Sequence, residues 1–248
     1  MHRNSIFSPL IEHAIELAAQ WHDQTHRKSR WRDPAFEIPE EETLRVPVVS
    51  HVTNVAMIVQ RAGWDDATIA AAYLHDIIED GNRYGRTLRY EELCALMGRE
   101  VADRVLEVTE DRCDEDGRPL PWRARKERYV ARLHTASDEA VAISLADKLH
   151  NLWCINETLL GGIDVFTSGP DHRALSAGPG AQRWFYRAVL DASRTHTDPR
   201  LVPLRDRMEQ ELERFEATTA RSAADAPQDA PNGVRSGQMG NGLFRRHG

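Results

Sequence analysis

Residues 71–80 read Ala71-Ala72-Tyr73-Leu74-His75-Asp76-Ile77-Ile78-Glu79-Asp80, an apolar segment that ends in two polar pairs. Residues four apart are neighbours on an α-helix, so the pattern predicts a helix on which His75 lies beside Glu79. Asp76 and Asp80 repeat that spacing. A single His-Asp pair would fit a solvated, acidic helix end, but two polar pairs separated by two isoleucines favour a site for metal binding or proton transfer.

Length and composition limit the class of protein. The chain has 248 residues, is 41% hydrophobic and carries a formal net charge of −7, which predicts one domain with appendages. The acidic balance argues against a broad nucleic-acid surface and leaves a small anionic ligand possible. The three cysteines form no CxxC pair and indicate ordinary thiols in a reducing compartment. With no apolar run long enough for a membrane span, a soluble cytoplasmic protein is expected.

The rest of the chain predicts helices nearly throughout. The first runs from Ser8-Pro9 to about Asp23, the second from Pro47 to Gly63, and a third, capped by Asp66, ends at Gly81. Further helical patterns cover roughly Tyr90 to Met97, Glu100 to Val108, Trp122 to Thr135, Asp138 to Leu160, Gln182 to Ala192 and Leu204 to Glu216. No alternating strand pattern competes, so the sequence predicts an all-α helical bundle.

The domain is expected to span residues 1–216, followed by a tail at 217–248. The tail is rich in Ala, Asp, Gly, Asn, Pro and Arg and has few apolar residues. Such a segment cannot bury enough surface to offset its ordering entropy, which predicts disorder.

Two further segments supply possible metal ligands. His51 stands near the start of the second helix, and Asp147 lies within the long Asp138 to Leu160 helix. Together with His75 and Asp76 they would give two imidazoles and two carboxylates drawn from three helices. Nitrogen and oxygen ligands without thiolates suit manganese, iron or a similar divalent ion better than a structural zinc.

Other polar residues are given lesser roles. Asn151 follows Asp147 by one turn and is expected to face the same cavity, where it would bind a ligand rather than the metal. His150 is expected to lie at the edge of the cavity or to pack, rather than to ligate. His22 and His26 are expected to be exposed.

These residues resemble the ordered metal ligands of the HD phosphohydrolase superfamily. Residues 75–80 resemble the HDxxED motif of the RelA/SpoT-type hydrolases of guanosine tetraphosphate (ppGpp) and pentaphosphate, which include small alarmone hydrolases. Residues 145–152 resemble that family's LADRLHNL segment, Val105 to Thr109 its VxxVT stretch, and Gln24 with Arg27-Lys28 its QxRK element. The resemblance covers about Ile11 to Leu160. Lys126-Glu127-Arg128 is similar to the family's Arg-Lys helix start but is interpreted as a solvated helix face.

The resemblance implies an HD-domain bundle with a metal site in its core. The implied ligands of a divalent ion, with Mn²⁺ expected, are His51, His75, Asp76 and Asp147. The implied reaction is hydrolysis of ppGpp to GDP and pyrophosphate, by attack of water on the phosphorus bonded to the ribose 3′ oxygen. Glu79 and Asp80 would orient or deprotonate the water, and one of these two carboxyls is expected to have a raised pKa. Arg27, Lys28 and Asn151 would bind the guanine nucleotide.

The sequence departs from the family before His51. Pro47-Val48 lacks the family's tyrosine, and about residues 29–46 form an insertion, interpreted as a surface loop or alternatively as a lid that touches the nucleotide. Two other functions therefore stay open: an HD phosphohydrolase of another nucleotide or a phosphorylated cofactor such as NADPH, and a nucleotide-sensing module with little activity. The Glu79-Asp80 pair argues against the sensor. The sequence leaves the oligomeric state open.

Overall fold

The computed structural model describes residues 6–27, 46–169 and 173–224, with side chains described as far as residue 220. Within these ranges the chain forms nine α-helices, a short 3-10 turn and no sheet. The helices are α1 (Pro9–Trp21), α2 (Val48–Arg61), α3 (Asp66–Tyr73), α4 (Tyr90–Met97), α5 (Arg99–Val108), α6 (Trp122–Leu133), α7 (Asp138–Leu160), α8 (Pro179–Ser193) and α9 (Val202–Ala224). The predicted all-α class is confirmed.

Local capping explains where two of these helices begin. The Asp65 carboxylate accepts a 2.8 Å hydrogen bond from the backbone N–H of Thr68 and caps α3. The predicted cap, Asp66, is wrong by one residue, since Asp66 is the first residue of the helix. Ser137 caps α7 by accepting from the Ala140 N–H at 3.2 Å. These caps fix the start of the two helices that lead into the polar site.

Helix α7 is the centre of the bundle. It contacts α2, α3, α5, α8 and α9, and residues 140–147 along its first half are all buried. Apolar residues surround this half of the helix, so its position is set by packing on several sides. Asp147 is therefore held deep in the bundle on a rigid element.

Helix α9 closes the core on one side of α7. Its residues Met208, Leu212 and Phe215 are fully buried. The helix continues to Ala224, so the helical pattern predicted for Leu204 to Glu216 ends too early. Residues 225–248 lie outside the described part of the chain, and the disordered tail stays a prediction.

The polar segment at 75–80 differs from its predicted form. Helix α3 ends at Tyr73 instead of Gly81, and residues 74–79 form successive turns. The N–H of Leu74 bonds to the Ala71 carbonyl at 3.1 Å and that of Ile77 to the Leu74 carbonyl at 2.9 Å, both three residues back. Leu74 and Ile77 are fully buried, so the tight turns let both enter the core. The predicted helix that would carry His75 beside Glu79 and Asp76 beside Asp80 is therefore replaced by turns in this segment.

The predicted insertion leaves and rejoins the domain at a single point. His26 and Pro47 form an isolated antiparallel bridge, and the Arg27 N–H donates to the Val46 carbonyl at 2.9 Å. Residues 28–45 lie outside the described residues, and the surface-loop and lid interpretations both stay predictions. The bridge places Arg27 beside the start of α2. No helix in the described ranges is both long and apolar enough to cross a membrane.

Candidate active site

Three parts of the bundle bring candidate metal ligands together. His51 lies near the start of α2, Asp147 in the middle of α7, and His75 just past the end of α3. His51 Nε2 is 3.1 Å from Asp147 Oδ1, and His75 Nε2 is 3.7 Å from the same oxygen. One possible ligand atom from each of the three residues lies within 4.8 Å of the others. The structure thus groups three of the four predicted ligands in a buried cluster.

Asp76, the fourth predicted ligand, lies on the open side of this cluster. We call these four residues together the ligand cluster. Its Oδ1 is 3.3 Å from His75 Nε2 and its Oδ2 is 3.9 Å from His51 Nε2. The Asp76 side chain is 25% exposed, against 8% for Asp147. Asp76 therefore marks the side from which a substrate can approach.

The second ring nitrogens of both histidines are already engaged. His75 Nδ1 is 2.8 Å from the Ala72 carbonyl oxygen, so it donates its hydrogen there. His51 Nδ1 is 2.7 Å from Nδ1 of His150. A hydrogen bond at one ring nitrogen orients the ring and sets the tautomer that presents the other nitrogen to a metal.

The ring nitrogens that face the cluster fit a divalent cation. His51 Nε2 and His75 Nε2 are buried, and neither has a hydrogen-bond partner among the described residues. Buried polar atoms left unpaired are destabilising. A cation between these nitrogens and the carboxylates of Asp76 and Asp147 would satisfy both rings and balance both negative charges. Mixed imidazole and carboxylate donors suit such an ion.

Burial and charge shift the titration of both imidazoles. Burial, together with the nearby positive charge of Arg27, lowers the pKa of His51 to about 3. Burial also acts to lower the pKa of His75, but the carboxylates of Asp76 and Asp147 raise that pKa well above its ordinary value. His51 is thus neutral and keeps a lone pair for a metal.

Glu79 faces a small cavity next to the ligand cluster. The cavity has a volume of about 50 Å³, enough for one or a few water molecules. The Glu79 carboxylate accepts a 2.5 Å hydrogen bond from the Glu110 N–H. Burial, together with the negative charge of Asp76, raises the pKa of Glu79 to about 7. The expectation of one raised carboxyl pKa is met by Glu79, which can exchange a proton near neutral pH.

Asp80 lies at the rim of the same region. Its side chain is 38% exposed, and its Oδ1 accepts a 3.0 Å hydrogen bond from Arg112 Nη2. Arg112 also lies 3.7 Å from Glu79 Oε2. The two carboxylates therefore have different surroundings, since Glu79 is enclosed and Asp80 is open to solvent.

A buried group of charges that the sequence did not predict lines the far wall of the cavity. Glu110 is 7% exposed, and its carboxylate pairs with Arg125 at 2.5 Å and with Lys126. The interpretation of Lys126-Glu127-Arg128 as a solvated helix face is wrong for Lys126, whose side chain is 18% exposed. Burial lowers the pKa of Lys126. The signal in the sequence for this buried group of charges was the similarity of Lys126-Glu127-Arg128 to the family's Arg-Lys helix start.

Lys148 is a second lysine of this wall. Its Nζ is 2.5 Å from Asp147 Oδ2 and 4.7 Å from the centre of the Tyr129 ring. Burial opposes the charge of Lys148, but Asp147 raises the pKa of Lys148 well above its ordinary value. Burial likewise opposes the charge of Asp147, and Lys148 helps to lower that pKa. Each of the two side chains therefore stabilises the charged form of the other.

Two predicted substrate-binding residues meet at the cluster. The Arg27 guanidinium donates to the Asn151 amide oxygen, and Asn151 Nδ2 donates to Asp147 Oδ1. Asn151 thus faces the ligand cluster, one turn after Asp147. Lys28, the third predicted residue, lies outside the described part of the chain.

The remaining histidines divide between core and surface. His22 is 3% exposed, so its predicted exposure is wrong, whereas His26 is exposed. Burial lowers the pKa of His22, and the carboxylates of Asp76 and Asp80 oppose that effect. His22 is held inside because it directly follows α1, whose inner face packs against α3.

The fold and this group of residues agree with the comparison to known families. Residues 14–160 match the HD domain family. The chain belongs to the HD domain family. The matched range contains every residue of the ligand cluster as well as Glu79, Asp80 and Asn151. The predicted resemblance to HD phosphohydrolases is confirmed.

Curated relatives of this HD domain protein carry the name guanosine-3′,5′-bis(diphosphate) 3′-pyrophosphohydrolase MESH1. The Xenopus tropicalis protein is 34% identical over 145 residues, 58% of this chain and 68% of that protein. The Drosophila melanogaster protein is 35% identical over 129 residues, 51% of this chain and 61% of that protein. The aligned parts thus span about two thirds of each relative. A solved structure described as a metazoan ortholog of SpoT that hydrolyzes ppGpp has a TM-score of 0.58 and 25% identity, covering 84% of this chain and 97% of its own.

Proposed function

We propose that this HD domain protein hydrolyses ppGpp to GDP and pyrophosphate with the help of a divalent metal ion. The observation that carries the proposal is the ligand cluster of His51, His75, Asp76 and Asp147 beside a carboxyl group, Glu79, whose pKa lies near 7. The relatives named as ppGpp 3′-pyrophosphohydrolases support the choice of substrate.

Mn²⁺ is the ion we propose for the cluster. Two imidazoles and two carboxylates form a donor set that manganese accepts readily, whereas magnesium prefers oxygen ligands. The ion would supply Lewis acidity toward a phosphoryl oxygen and toward the attacking water. His51 and His75 would hold it through Nε2, the nitrogens that lack a hydrogen-bond partner among the described residues.

Glu79 is proposed to manage the proton of the attacking water. The oxygen of water bonds to the phosphorus attached to the ribose 3′ oxygen, and the phosphorus–O3′ bond breaks. O3′ leaves with the electron pair and takes up a proton, which completes GDP. With a pKa of about 7 and a place on the cavity wall, Glu79 can accept the water proton. Asp80, at the exposed rim, is proposed to assist the protonation of O3′ as it leaves.

Arg27, Lys28 and Asn151 are proposed to bind the nucleotide. A guanidinium group offers a planar fork of donors that suits phosphate oxygens or the base. Arg27 already lies beside the ligand cluster through its bond to Asn151. Asn151 is proposed to contact the ribose on the same side. The free cysteines in the described chain and a nucleotide substrate support a cytoplasmic location.

The test is product analysis with the metal-loaded protein. Incubation with Mn²⁺ and ppGpp should give equal amounts of GDP and pyrophosphate, and in ¹⁸O-labelled water the label should enter pyrophosphate alone. NADPH and a panel of other nucleotides serve as competing substrates. Inorganic phosphate as the product, or label in GDP, would contradict the proposed bond cleavage.

A set of variants tests the two carboxylates. Glu79→Ala and Asp80→Ala should each abolish turnover while Mn²⁺ stays bound, because neither residue belongs to the ligand cluster. Glu91→Ala, which changes an exposed carboxylate of α4, is the matched control and should retain activity. Turnover that survives in either Glu79→Ala or Asp80→Ala would refute the role assigned to that residue.

A further inference from the structure

A contact between two histidines lies behind the ligand cluster. His51 is fully buried, and its Nδ1 is 2.7 Å from Nδ1 of His150. The ring centroids are 4.9 Å apart and the planes are tilted by 34°. His150 stands three residues after Asp147 on α7. One helix therefore carries both a proposed ligand and the partner of another proposed ligand.

The contact dictates where the hydrogens lie when Nε2 of His51 is used as a ligand. A neutral imidazole with its lone pair on Nε2 carries its hydrogen on Nδ1. In His51 that hydrogen points at Nδ1 of His150, which must accept it through a lone pair. The hydrogen of His150 then resides on Nε2.

From this arrangement we infer that His150 is a positioning residue, which holds His51 in the tautomer and orientation that present Nε2 to the metal. The inference rests on the proposed metal site. In this role His150 acts through His51 and not directly on the ion. Its loss would leave a buried N–H of His51 without an acceptor, which weakens the ligand.

The surroundings of His150 hold its ring in place. Trp153 stacks on it with a centroid distance of 6.0 Å and an angle of 27°. The sulfur of Cys154, one turn further along α7, lies 3.8 Å from His150 Nε2. A ring confined in this way keeps Nδ1 directed at His51.

The other proposed imidazole ligand shows the same arrangement with a different acceptor. His75 Nδ1 donates to the backbone oxygen of Ala72 at 2.8 Å. A backbone carbonyl has no side chain to replace, whereas the acceptor for His51 can be changed by substitution. His150 is therefore the point at which the orientation of a proposed ligand can be tested without changing the ligand.

The test compares substitutions that remove or keep the acceptor. His150→Phe retains a ring of similar size without an acceptor, and His150→Leu is a second apolar variant. His150→Gln keeps an amide oxygen that can accept from His51. Binding of Mn²⁺ alone is measured by calorimetry or electron paramagnetic resonance on the full chain. Melting temperatures in chelator show whether each variant is folded.

The expected result is a roughly 10–100-fold weaker Mn²⁺ affinity in His150→Phe and His150→Leu. His150→Gln should recover most of that loss. Unchanged affinity in a folded apolar variant, or equal weakening in all three variants, would overturn the inference. Because the readout is metal affinity, a wild-type protein that binds Mn²⁺ without hydrolysing ppGpp would refute the proposed function and leave the role of His150 standing.

Discussion

The guanidinium of Arg27 donates a hydrogen bond to the amide oxygen of Asn151. The same amide donates through Nδ2 to Asp147 Oδ1. Asn151 thus connects the segment before α2 to the carboxylate at the centre of the ligand cluster. The amide of Asn151 supplies an acceptor for Arg27 and a donor for Asp147 at once, whereas an ionised carboxylate could only accept.

Asn151→Asp is expected to break one half of this connection. Aspartate at position 151 can still accept from Arg27, but it cannot donate to Asp147. It also places a second negative charge beside the Asp147 carboxylate. Loss of a hydrogen bond to a charged group costs about 1.5–3 kcal/mol, so kcat/KM for ppGpp should fall roughly 10–100-fold. Steady-state kinetics at saturating Mn²⁺ provide the measurement.

Asn54→Asp is the matched control for this change. Asn54 is an exposed asparagine of α2 whose amide donates to the Ser50 carbonyl at 2.7 Å. Its kcat/KM should stay close to the wild-type value. An Asn151→Asp protein as active as Asn54→Asp would show that the connection has no part in catalysis.

Glu79→Gln is expected to stabilise the metal-free protein above neutral pH. Burial raises the pKa of Glu79 from its ordinary 4.5 to about 7, so the folded chain binds this proton more tightly than the unfolded chain. Its stabilising contribution is fully present below about pH 4.5 and is lost as the pH rises through about 7. Full loss corresponds to about 3 kcal/mol at most. Glutamine stays neutral and avoids that loss.

Thermal unfolding in chelator at about pH 5 and about pH 8 measures this effect. Glu79→Gln should match wild type at the lower pH, melt at a higher temperature at the upper pH, and lose turnover. Glu91→Gln, an exposed carboxylate changed in the same way, should follow wild type at both. A Glu79→Gln protein that melts with wild type at the higher pH would contradict the raised pKa.

The positions of the helices could be predicted from the sequence largely because capping and periodicity are local. Helix α7 has its predicted bounds, and Ser137 marks its start. The end of α3 could not be predicted, since the apolar pattern continues through Ile77 and Ile78. Whether such a run stays helical or turns depends on how Leu74 and Ile77 fit the core, which is a tertiary property.

The candidate site shows the same difference between features that are local in the sequence and features that depend on tertiary structure. Residue type and the resemblance to HD phosphohydrolases predicted His51, His75, Asp76 and Asp147 as candidate ligands, and the structure brings their side chains together. The environment of Lys126 could not be read in this way. Its partner Glu110 is sixteen residues away, and a charged residue beside others on a helix has the same pattern whether it is solvated or paired inside. Nor does spacing show that His150 bonds to His51.

Asp147→Asn is expected to destabilise the protein as well as remove a proposed metal ligand. Lys148 is paired with Asp147, and both side chains are largely buried. Leaving one member of a buried ion pair without its partner costs about 3–5 kcal/mol. Adding Lys148→Met to Asp147→Asn should recover most of the lost stability, because no unpaired ammonium remains.

Urea unfolding and Mn²⁺ binding separate the two effects of Asp147→Asn. The double variant should be nearly as stable as wild type in chelator and should still bind Mn²⁺ poorly. Equal stability of the single and double variants would show that Lys148 is not the group left unpaired. Wild-type Mn²⁺ affinity in the double variant would remove Asp147 from the ligand set.

Phe215→Ala is expected to show that α9 belongs to the folded domain. Phe215 is fully buried, and its ring centroid lies 6.2 Å from that of Phe166. Removing a buried phenyl ring leaves a cavity and costs about 3–5 kcal/mol. Leu160→Ala, at a position 54% exposed, should cost far less. Urea midpoints followed by circular dichroism measure both, and a Phe215→Ala midpoint equal to that of Leu160→Ala would mean that α9 adds nothing to the core.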